Sequence, residues 1–246
     1  MLDKTVGSIK GFIKIIDRDT KAVIVETTND VLYGNMSMAL AHSLIGNPNT
    51  QLFYMGLGNG AAYVNTTGTV SYKPSLGGGS SLIKKLSANL YNTVYVKSLS
   101  NDGTAAADPS SVNLSSIASI SSEDYSTNYE DIIVNVVLDY NEPTTGLLTS
   151  TNIQQTAVDG STFIGTSDTT LSSTFDPSNF VFNEIALYGG IPDLFGGGRT
   201  ATMADVSAFV GSSNKYMLTH AVFHPVQKAA NRSIEIIYTL RIQMGV

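Results

Sequence analysis

Two segments of the chain alternate apolar and polar residues with a period of two, one near the middle and one at the C-terminal end. Their apolar positions are Ile132, Val134, Val136, Leu138 and Tyr140, and Ile234, Ile236, Tyr238, Leu240, Ile242 and Met244. Successive side chains of a strand point to opposite faces, so each segment predicts a half-buried β-strand. A slip of one residue would expose a whole apolar row, and we therefore expect a fixed register.

Further segments have the composition of strands, with β-branched and aromatic residues bounded by turn-type residues. They lie at residues 12–16, 22–26, 51–55, 90–96, 180–188 and 216–223. The turn-type cluster at 17–21 separates the first two and predicts a β-hairpin. Successive strands with one early helix predict a mainly β fold: an antiparallel β-sandwich or jelly-roll-like body with one short N-terminal helix and long loops.

The predicted helix follows the first hairpin. Its apolar residues, spaced four apart on one face, are Met36, Leu40 and Leu44. Asn35 is a residue type that caps helix N-termini, and we expect it to do so here. Gly46 and Pro48 predict the end of the helix, because glycine accepts the left-handed conformation and proline cannot continue a helix.

The chain is predicted to be a single β-rich domain over residues 1–246, with long insertion-like loops at about 61–129 and 189–215. These loops are rich in Gly, Ser, Thr and Asn, and only 14% of all residues are charged. A loop of this length needs contacts that offset its ordering entropy. Hydroxyls and amides are tolerated at the centre of interfaces where charges are costly, so we expect the loops to wrap neighbouring subunits.

Charge and cysteine content exclude several partners. The net charge is −6 and the pI about 4.9, so phosphate backbones would repel the chain and no nucleic-acid partner is predicted. The clusters 84–85 and Lys228 with Arg232 are interpreted as solvated. There are no cysteines, hence no disulfides or thiolate metal sites. The N-terminus lacks the features of a signal peptide and no apolar stretch reaches membrane-spanning length, so no membrane partner is expected.

Several motifs contain residue types that can carry chemistry, but none of them predicts a reaction. Residues 56–60 have the pattern Gly-x-Gly-x-Gly, but no helix is predicted after them, so a tight turn is favoured over a phosphate-binding loop. His220 and His224 lie in an extended pattern before Pro225, which disfavours zinc. Pro225 itself is expected just before the last strand, where its missing amide does least harm. Glu184, inside an apolar strand, predicts a structural carboxylate that needs hydrogen-bond donors. We predict no catalytic, cofactor-binding or metal-binding residues, no cofactor, and no enzymatic activity.

Three segments in order resemble virion structural proteins of tailed bacteriophages. They are residues 54–60 (YMGLGNG), 182–188 (FNEIALY) and 217–228 (MLTHAVFHPVQK), the last followed by the alternating C-terminal strand. They are similar to the family's segment of an aromatic and an apolar residue followed by Leu-Gly-Thr-Gly, its Asn-Glu-Ile-Gly-Leu-Phe strand and its closing Leu-x-Arg-x-Val-Phe-x-Pro-Ile-x-Lys segment. The chain departs from these patterns at Asn59, where threonine is usual, at Ala186, where glycine is usual, and at His220, where arginine is usual.

The resemblance implies a non-enzymatic structural subunit, assembled in the host cytoplasm and located in the virion. Its expected partners are copies of itself and other virion proteins, in a symmetric homo-oligomer of the tail, neck or collar, or fibre-anchoring region. Capsid decoration is one alternative, and a glycan- or receptor-binding module is another. Tyrosines suit both interfaces and sugars, and the loop-rich middle contains Tyr63, Tyr72, Tyr91, Tyr95, Tyr125 and Tyr129.

Overall fold

The computed structural model of the chain describes most of its strands. The described residues are 7–46, 52–64, 66–77, 89–99, 117–120, 128–138, 140, 154–156, 163–164, 179–190, 209–210, 215–229 and 231–244. Every strand pairing among them is antiparallel. The helix that they include in full is α1 (Tyr33–Leu44). The predicted mainly β fold with an early helix is therefore confirmed.

The described residues contain thirteen strands, nine of which form one main sheet. In chain order the strands are β1 (Gly7–Asp17), β2 (Val23–Val31), β3 (Leu52–Gly58), β4 (Ala62–Val64), β5 (Val70–Tyr72), β6 (Thr93–Ser98), β7 (Ile117–Ile120), β8 (Tyr129–Leu138), β9 (Gln154–Thr156), β10 (Phe163–Ile164), β11 (Asn179–Gly190), β12 (Lys215–Ala229) and β13 (Ile234–Met244). The main sheet has the order β6-β3-β11-β12-β2-β1-β13-β8-β7, while β4 pairs with β5 and β9 with β10. A jelly-roll arrangement is not confirmed, because the nine strands are continuous.

The alternating segments pair as their pattern predicts. Strand β13 pairs with β1 on one side and with β8 on the other, and neither ladder contains a register shift. The buried residues on the inner face are Ile234, Ile236, Tyr238, Leu240, Val134, Val136 and Leu138. Burial of each such side chain contributes about 1.5–3 kcal/mol. Tyr140 lies beyond the end of β8 and is half exposed, so the predicted row ends one position early.

The sheet curls so that its two halves face each other across one core. We call β2, β1, β13, β8 and β7 the ladder half, and β6, β3, β11 and β12 the motif half. Ile13 and Val136 of the ladder half share the hydrophobic core with Leu57 of the motif half. The Nζ of Lys97 on β6 donates a hydrogen bond to the carbonyl oxygen of Val137 on β8. Strands near opposite ends of the sheet are therefore in contact.

The two halves are joined along the sheet by a short seam between β2 and β12. Its two residue pairs are Thr219↔Val31 and His220↔Asp30. The Leu32 amide extends it by donating to the carbonyl oxygen of Leu218 at 2.9 Å. Beyond the seam β2 and β12 diverge, which leaves a groove between them.

Helix α1 begins earlier than predicted. Asn35 lies inside the helix and is fully buried, and its Nδ2 donates to the carbonyl oxygen of Met217 at 2.8 Å. The predicted capping role of Asn35 is therefore wrong; this side chain fastens the helix to β12 instead. Gly46 has a φ of +72°, as predicted for a residue that follows a helix.

The apolar face of α1 is only partly covered. Met36 is buried, but Leu40 is 38% exposed and Leu44 is 89% exposed. The four-residue spacing predicts all three side chains on one face of the helix. The rest of the protein covers this face only at the N-terminal end of α1, near the seam. Pro48 lies outside the described residues.

The two predicted loops contain regular structure. Residues 61–129 include β4 to β7, and β6 belongs to the main sheet with Val94, Tyr95 and Val96 buried. Residues 189–215 include the end of β11 and the start of β12. The described parts of both segments contact the body of their own subunit. The hypothesis that these loops wrap neighbouring subunits did not predict this.

Two further expectations on β12 are corrected. Pro225 was expected before the last strand, but it lies within β12, where the ladder with β11 shifts register between Phe182 and Glu184. A missing amide is tolerated at such a bulge. Lys228 was interpreted as solvated, but it is buried, and its Nζ donates to the carbonyl oxygen of Ala229 at 3.1 Å. Residues 84–85 lie outside the described residues.

Candidate functional site

The three segments that resemble the phage proteins lie side by side. Residues 54–60 form the end of β3 and the chain just after it, residues 182–188 lie in β11, and residues 217–228 lie in β12. Strand β11 is hydrogen-bonded to β3 on one edge and to β12 on the other. The first segment, more than a hundred residues before the other two in sequence, therefore forms one three-stranded unit with them.

Glu184 is the buried centre of this unit. Its Oε1 accepts the amides of Gly60 and Asn92, both at 3.0 Å, and its Oε2 accepts the amide of Tyr91 at 2.9 Å. The side chain is completely buried, and a buried carboxylate needs such donors to offset the loss of water. Glu184 was predicted to be a structural carboxylate with either backbone amides or Arg and Lys side chains as donors, and three backbone amides donate to it here.

His220 supplies a fourth donor to the carboxylate. Its Nε2 lies 3.2 Å from Oε2 of Glu184, and its Nδ1 lies 2.8 Å from the amide nitrogen of Leu76. Because an amide can only donate, Nδ1 must accept, which places the ring proton on Nε2. His220 thus links Glu184 to the backbone at Leu76, and both of its ring nitrogens form hydrogen bonds within the fold.

Asn183 and Asn59 complete the set of buried contacts. Asn183 accepts the amide of Ala61 at 3.0 Å through Oδ1 and donates to the carbonyl oxygen of Asn59 at 3.1 Å through Nδ2. The Nδ2 of Asn92 donates to Oδ1 of Asn59 at 2.6 Å. We call Asn59, Gly60, Tyr91, Asn92, Asn183, Glu184 and His220 the Glu184 cluster. Asn59, which stands where threonine is usual in the phage segment that it resembles, accepts two hydrogen bonds within the Glu184 cluster.

The glycines of the 56–60 segment allow close approach of other chain segments. A Cβ on Gly58 would lie 2.5 Å from Oε1 of Glu184 and 2.6 Å from the carbonyl oxygen of Asn92, and a Cβ on Gly60 would lie 2.6 Å from the amide nitrogen of Asn92. Real Cβ atoms do not approach backbone this closely. The tight turn predicted for this motif is therefore wrong for Gly56 and Gly58, which belong to β3. Gly58 and Gly60 are needed because other chain segments pack closely against them.

The negative charge of Glu184 acts on two neighbouring tyrosines. Burial, and secondly this charge, raises the pKa of Tyr91. The same two causes raise the pKa of Tyr188 well above its ordinary value. Both hydroxyls therefore stay protonated at neutral pH, and neither is primed as a nucleophile or a base.

The Glu184 cluster holds both legs of the β4–β5 hairpin, which comprises residues 62–72. The incoming leg is bound at Gly60 and Ala61, and the amide of Lys73 closes the base by donating to the carbonyl oxygen of Ala61 at 2.8 Å. On the outgoing leg, the hydroxyl of Tyr91 donates to the carbonyl oxygen of Pro74 at 2.7 Å. The hairpin is thus fixed to a rigid buried base.

The hairpin itself exposes large apolar side chains. The exposed fractions are 51% for Tyr63, 67% for Val64, 48% for Val70 and 45% for Tyr72. Residues 62–72 contain no charged residue. A two-stranded hairpin of this size is marginally stable by itself, and its exposed apolar surface with no charge is typical of a contact site.

The described tyrosines that were predicted to contact partners lie in four different environments. Tyr63 and Tyr72 are exposed on the hairpin, whereas Tyr95 is buried in the core. Tyr91 belongs to the Glu184 cluster, and Tyr129 lies under the guanidinium of Arg241, 4.0 Å from the ring centre. Tyr125 lies outside the described residues. Sequence spacing could not distinguish these roles.

An open groove lies beside the hairpin where β2 and β12 diverge. It has a volume of about 470 Å³, and the polar side chains that line it include Asp30, Lys73, Ser75 and His224. The hydroxyl of Ser75 donates to Asp30 rather than to a histidine. His224 is exposed while His220 is turned into the cluster, so the two rings do not form a zinc site. Among the described residues, no group of three potential ligands is suited to a metal ion.

Comparison with known proteins finds no match for the chain among family models, curated proteins or solved structures. Over the described part of the chain, no helix has both the length and the apolar character needed to cross a membrane.

Proposed function

We propose that the chain is a non-enzymatic structural subunit of a tailed-phage virion. It forms a symmetric homo-oligomer in the tail, neck or collar, or fibre-anchoring region, with the β4–β5 hairpin as a contact between subunits. The observation that carries the proposal is the convergence of the three family-like segments on the Glu184 cluster, which fixes an uncharged apolar hairpin to the body. A fixed hairpin loses little entropy on association, so its apolar surface is available for binding.

The hairpin contact is tested with paired valine substitutions. Val64 and Val70 face each other across the hairpin, and Val70→Ser removes an exposed apolar side chain from it. Val23→Ser is the matched control, because Val23 at the start of β2 has the same 48% exposure. We expect Val64→Ser/Val70→Ser to lose the part of the assembly that the hairpin makes, seen as a lower assembled mass in sedimentation experiments at unchanged melting temperature, while Val23→Ser assembles normally. Equal assembly of both variants would contradict the hairpin contact.

The location is tested on tailed particles produced from the genome that encodes the chain. Antibodies raised against the purified protein should label the tail, the neck or the fibre attachment region in electron micrographs. Labelling spread over the head surface would replace this location by capsid decoration. Absence of the chain from purified particles would overturn the virion proposal.

Glycan binding is a second candidate, favoured by one specific observation. The exposed Tyr72 ring borders the polar groove beside Asp30 and His224, and tyrosine with hydrogen-bonding groups suits a sugar. A glycan array with the isolated protein tests it. Saturable binding that is lost in Tyr72→Ala, with assembly intact, would favour this function, whereas a blank array would exclude the sugars presented.

A further inference from the structure

The outer face of the ladder half carries an ordered arrangement of charge. The inner row of β1 is buried, so Lys10, Phe12 and Lys14 point outwards, and on β2 the outward residues are Glu26 and Asp30. Strand β1 therefore presents a basic column and strand β2 an acidic one. Phe12 lies between the two lysines and is 41% exposed.

Residues of the basic column and of the acidic column lie directly opposite each other in the β1–β2 ladder, that is, at the same height along the strands. Lys14 is the ladder partner of Glu26, and Phe12 is the partner of Thr28. Lys10 and Asp30 each lie one residue beyond the pair Gly11↔Asn29. Among the described residues no ion pair joins Lys14 to Glu26, although they are neighbours on the same face.

A shallow groove of about 480 Å³ runs across this face. Its lining includes Phe12, Lys14, Glu26, Ile237 and Thr239. The face thus combines an apolar centre with charges of both signs around it, which is the general composition of a protein–protein contact. We propose that a second copy of this chain binds here, related by a two-fold axis parallel to the strands and midway between β1 and β2.

The proposed symmetry follows from the matched heights. A rotation of 180° about that axis exchanges the positions of β1 and β2 but preserves the height along the strands. Lys14 of one copy then faces Glu26 of the other, and the contact is repeated in the reverse sense because the interface is isologous. Phe12 faces Thr28 in the same way. Charge complementarity therefore selects a second copy.

The proposed axis brings β1 and β2 of each copy face to face. Two strands spaced about 4.8 Å apart, with about nine residues each at about 3.3 Å, give a flat area on the order of 300 Å². This is the size of a weak contact, smaller than the roughly 800 Å² per partner of a stable interface, so it would act together with the hairpin contact. This inference rests on the proposed homo-oligomeric function and names a second surface for it, adjoining the hairpin.

The test uses two charge reversals, alone and mixed. The full chain, Lys14→Glu and Glu26→Lys are studied by sedimentation equilibrium over a range of concentrations. Each single variant places two like-charge pairs in its symmetric dimer, so we expect its dimer Kd to rise at least about tenfold. An equimolar mixture should form a heterodimer with a Kd within about threefold of the wild type, because each introduced charge faces its opposite.

The mixture distinguishes two explanations of a weakened dimer: loss of a contact between copies, and damage within one copy. A structural role of Lys14 or Glu26 in its own subunit would not be rescued by mixing two impaired proteins. The control Glu130→Lys changes an exposed carboxylate on β8 and should leave the dimer Kd unchanged. Failure of the mixture to associate, or a wild type that stays monomeric at every concentration, would overturn the dimer. A monomeric wild type would also contradict the proposed homo-oligomer, whereas failure of the mixture alone would leave it standing. Antibody labelling of virus particles tests the virion location separately.

Discussion

The two halves of the sheet are held together by different means. In the ladder half, β1, β13 and β8 pair without a register shift over ten or more residues, and the inner faces are rows of apolar side chains. In the motif half, both ladders of β11 contain register shifts, and buried polar residues such as Glu184, His220 and Lys97 are frequent. The first half gains stability from regular burial, whereas the second depends on particular hydrogen bonds.

The largest expected effect concerns the carboxylate of the motif half. Glu184→Ala leaves four buried donors without an acceptor, and we expect a loss of about 3–5 kcal/mol in the free energy of unfolding. Glu184→Gln keeps the volume but turns an NH₂ group towards donors, and should cost roughly 2 kcal/mol. Urea unfolding followed by tyrosine fluorescence measures both. The exposed Glu130→Gln should change stability by less than about 0.5 kcal/mol; a Glu184→Gln variant as stable as this control would show that the charge is not needed.

The ladder half should respond according to the face on which a residue lies. Ile236 is completely buried and its neighbour Ile237 is on the outer face. We expect Ile236→Ala to cost about 2–4 kcal/mol by leaving a cavity, and Ile237→Ala to cost less than about 1 kcal/mol. The two adjacent substitutions are compared by the same unfolding measurement. Equal losses would contradict the register assigned to β13.

A smaller effect is expected from Lys215, at the start of β12. Burial lowers its pKa from 10.5 to about 8. Between these values the unfolded chain binds more protons than the folded one, so stability should rise as the pH rises from 8 towards 10. Unfolding at several pH values should show this rise for the wild type and for the exposed Lys10→Met, but not for Lys215→Met. A rise that persists in Lys215→Met would assign it to another group.

The smallest expected effect concerns the turn between β1 and β2 in the ladder half. The amide of Thr20, and then Arg232, lowers the pKa of Asp17 from 3.8 to about 2. A lowered carboxyl pKa stabilises the fold above pH 3.8, and this contribution is lost as the pH falls towards 2. Asp17→Asn should cost about 1 kcal/mol at neutral pH and should flatten the acid limb of the stability profile. An unchanged acid limb would contradict the assignment.

The ladder half was predictable from sequence because burial there follows a period of two. The rows that contain Val134 and Ile236 are visible in the printed sequence, and so is the turn at 17–21. The same reasoning extended the row of β8 to Tyr140, which the strand does not reach. Periodicity identifies a face, and it does not determine where the partner strand ends.

For the motif half, the sequence showed separate motifs but did not predict how they come together. The sequence showed that Glu184 needs donors, but the donors are amides of residues 60, 91 and 92, whose positions depend on the chain path and not on side-chain type. The glycines at 58 and 60 could have indicated close approach of a second segment, although they were interpreted as a turn. Asn35 was assigned to a cap because its residue type favours one, whereas tertiary contact with Met217 decided its place.

The short seam between β2 and β12 has a mechanical consequence. Tension applied across the strands would be carried there by the main-chain bonds of Val31, Leu32 and their partners, together with the side-chain link from the hydroxyl of Tyr238 to Oγ1 of Thr219 at 2.6 Å. Rupture of the sheet should therefore start at this line, and the two halves would then separate only as their shared core opens. In the virion subunit proposed above, tension from internal pressure or tail contraction should therefore open this seam first.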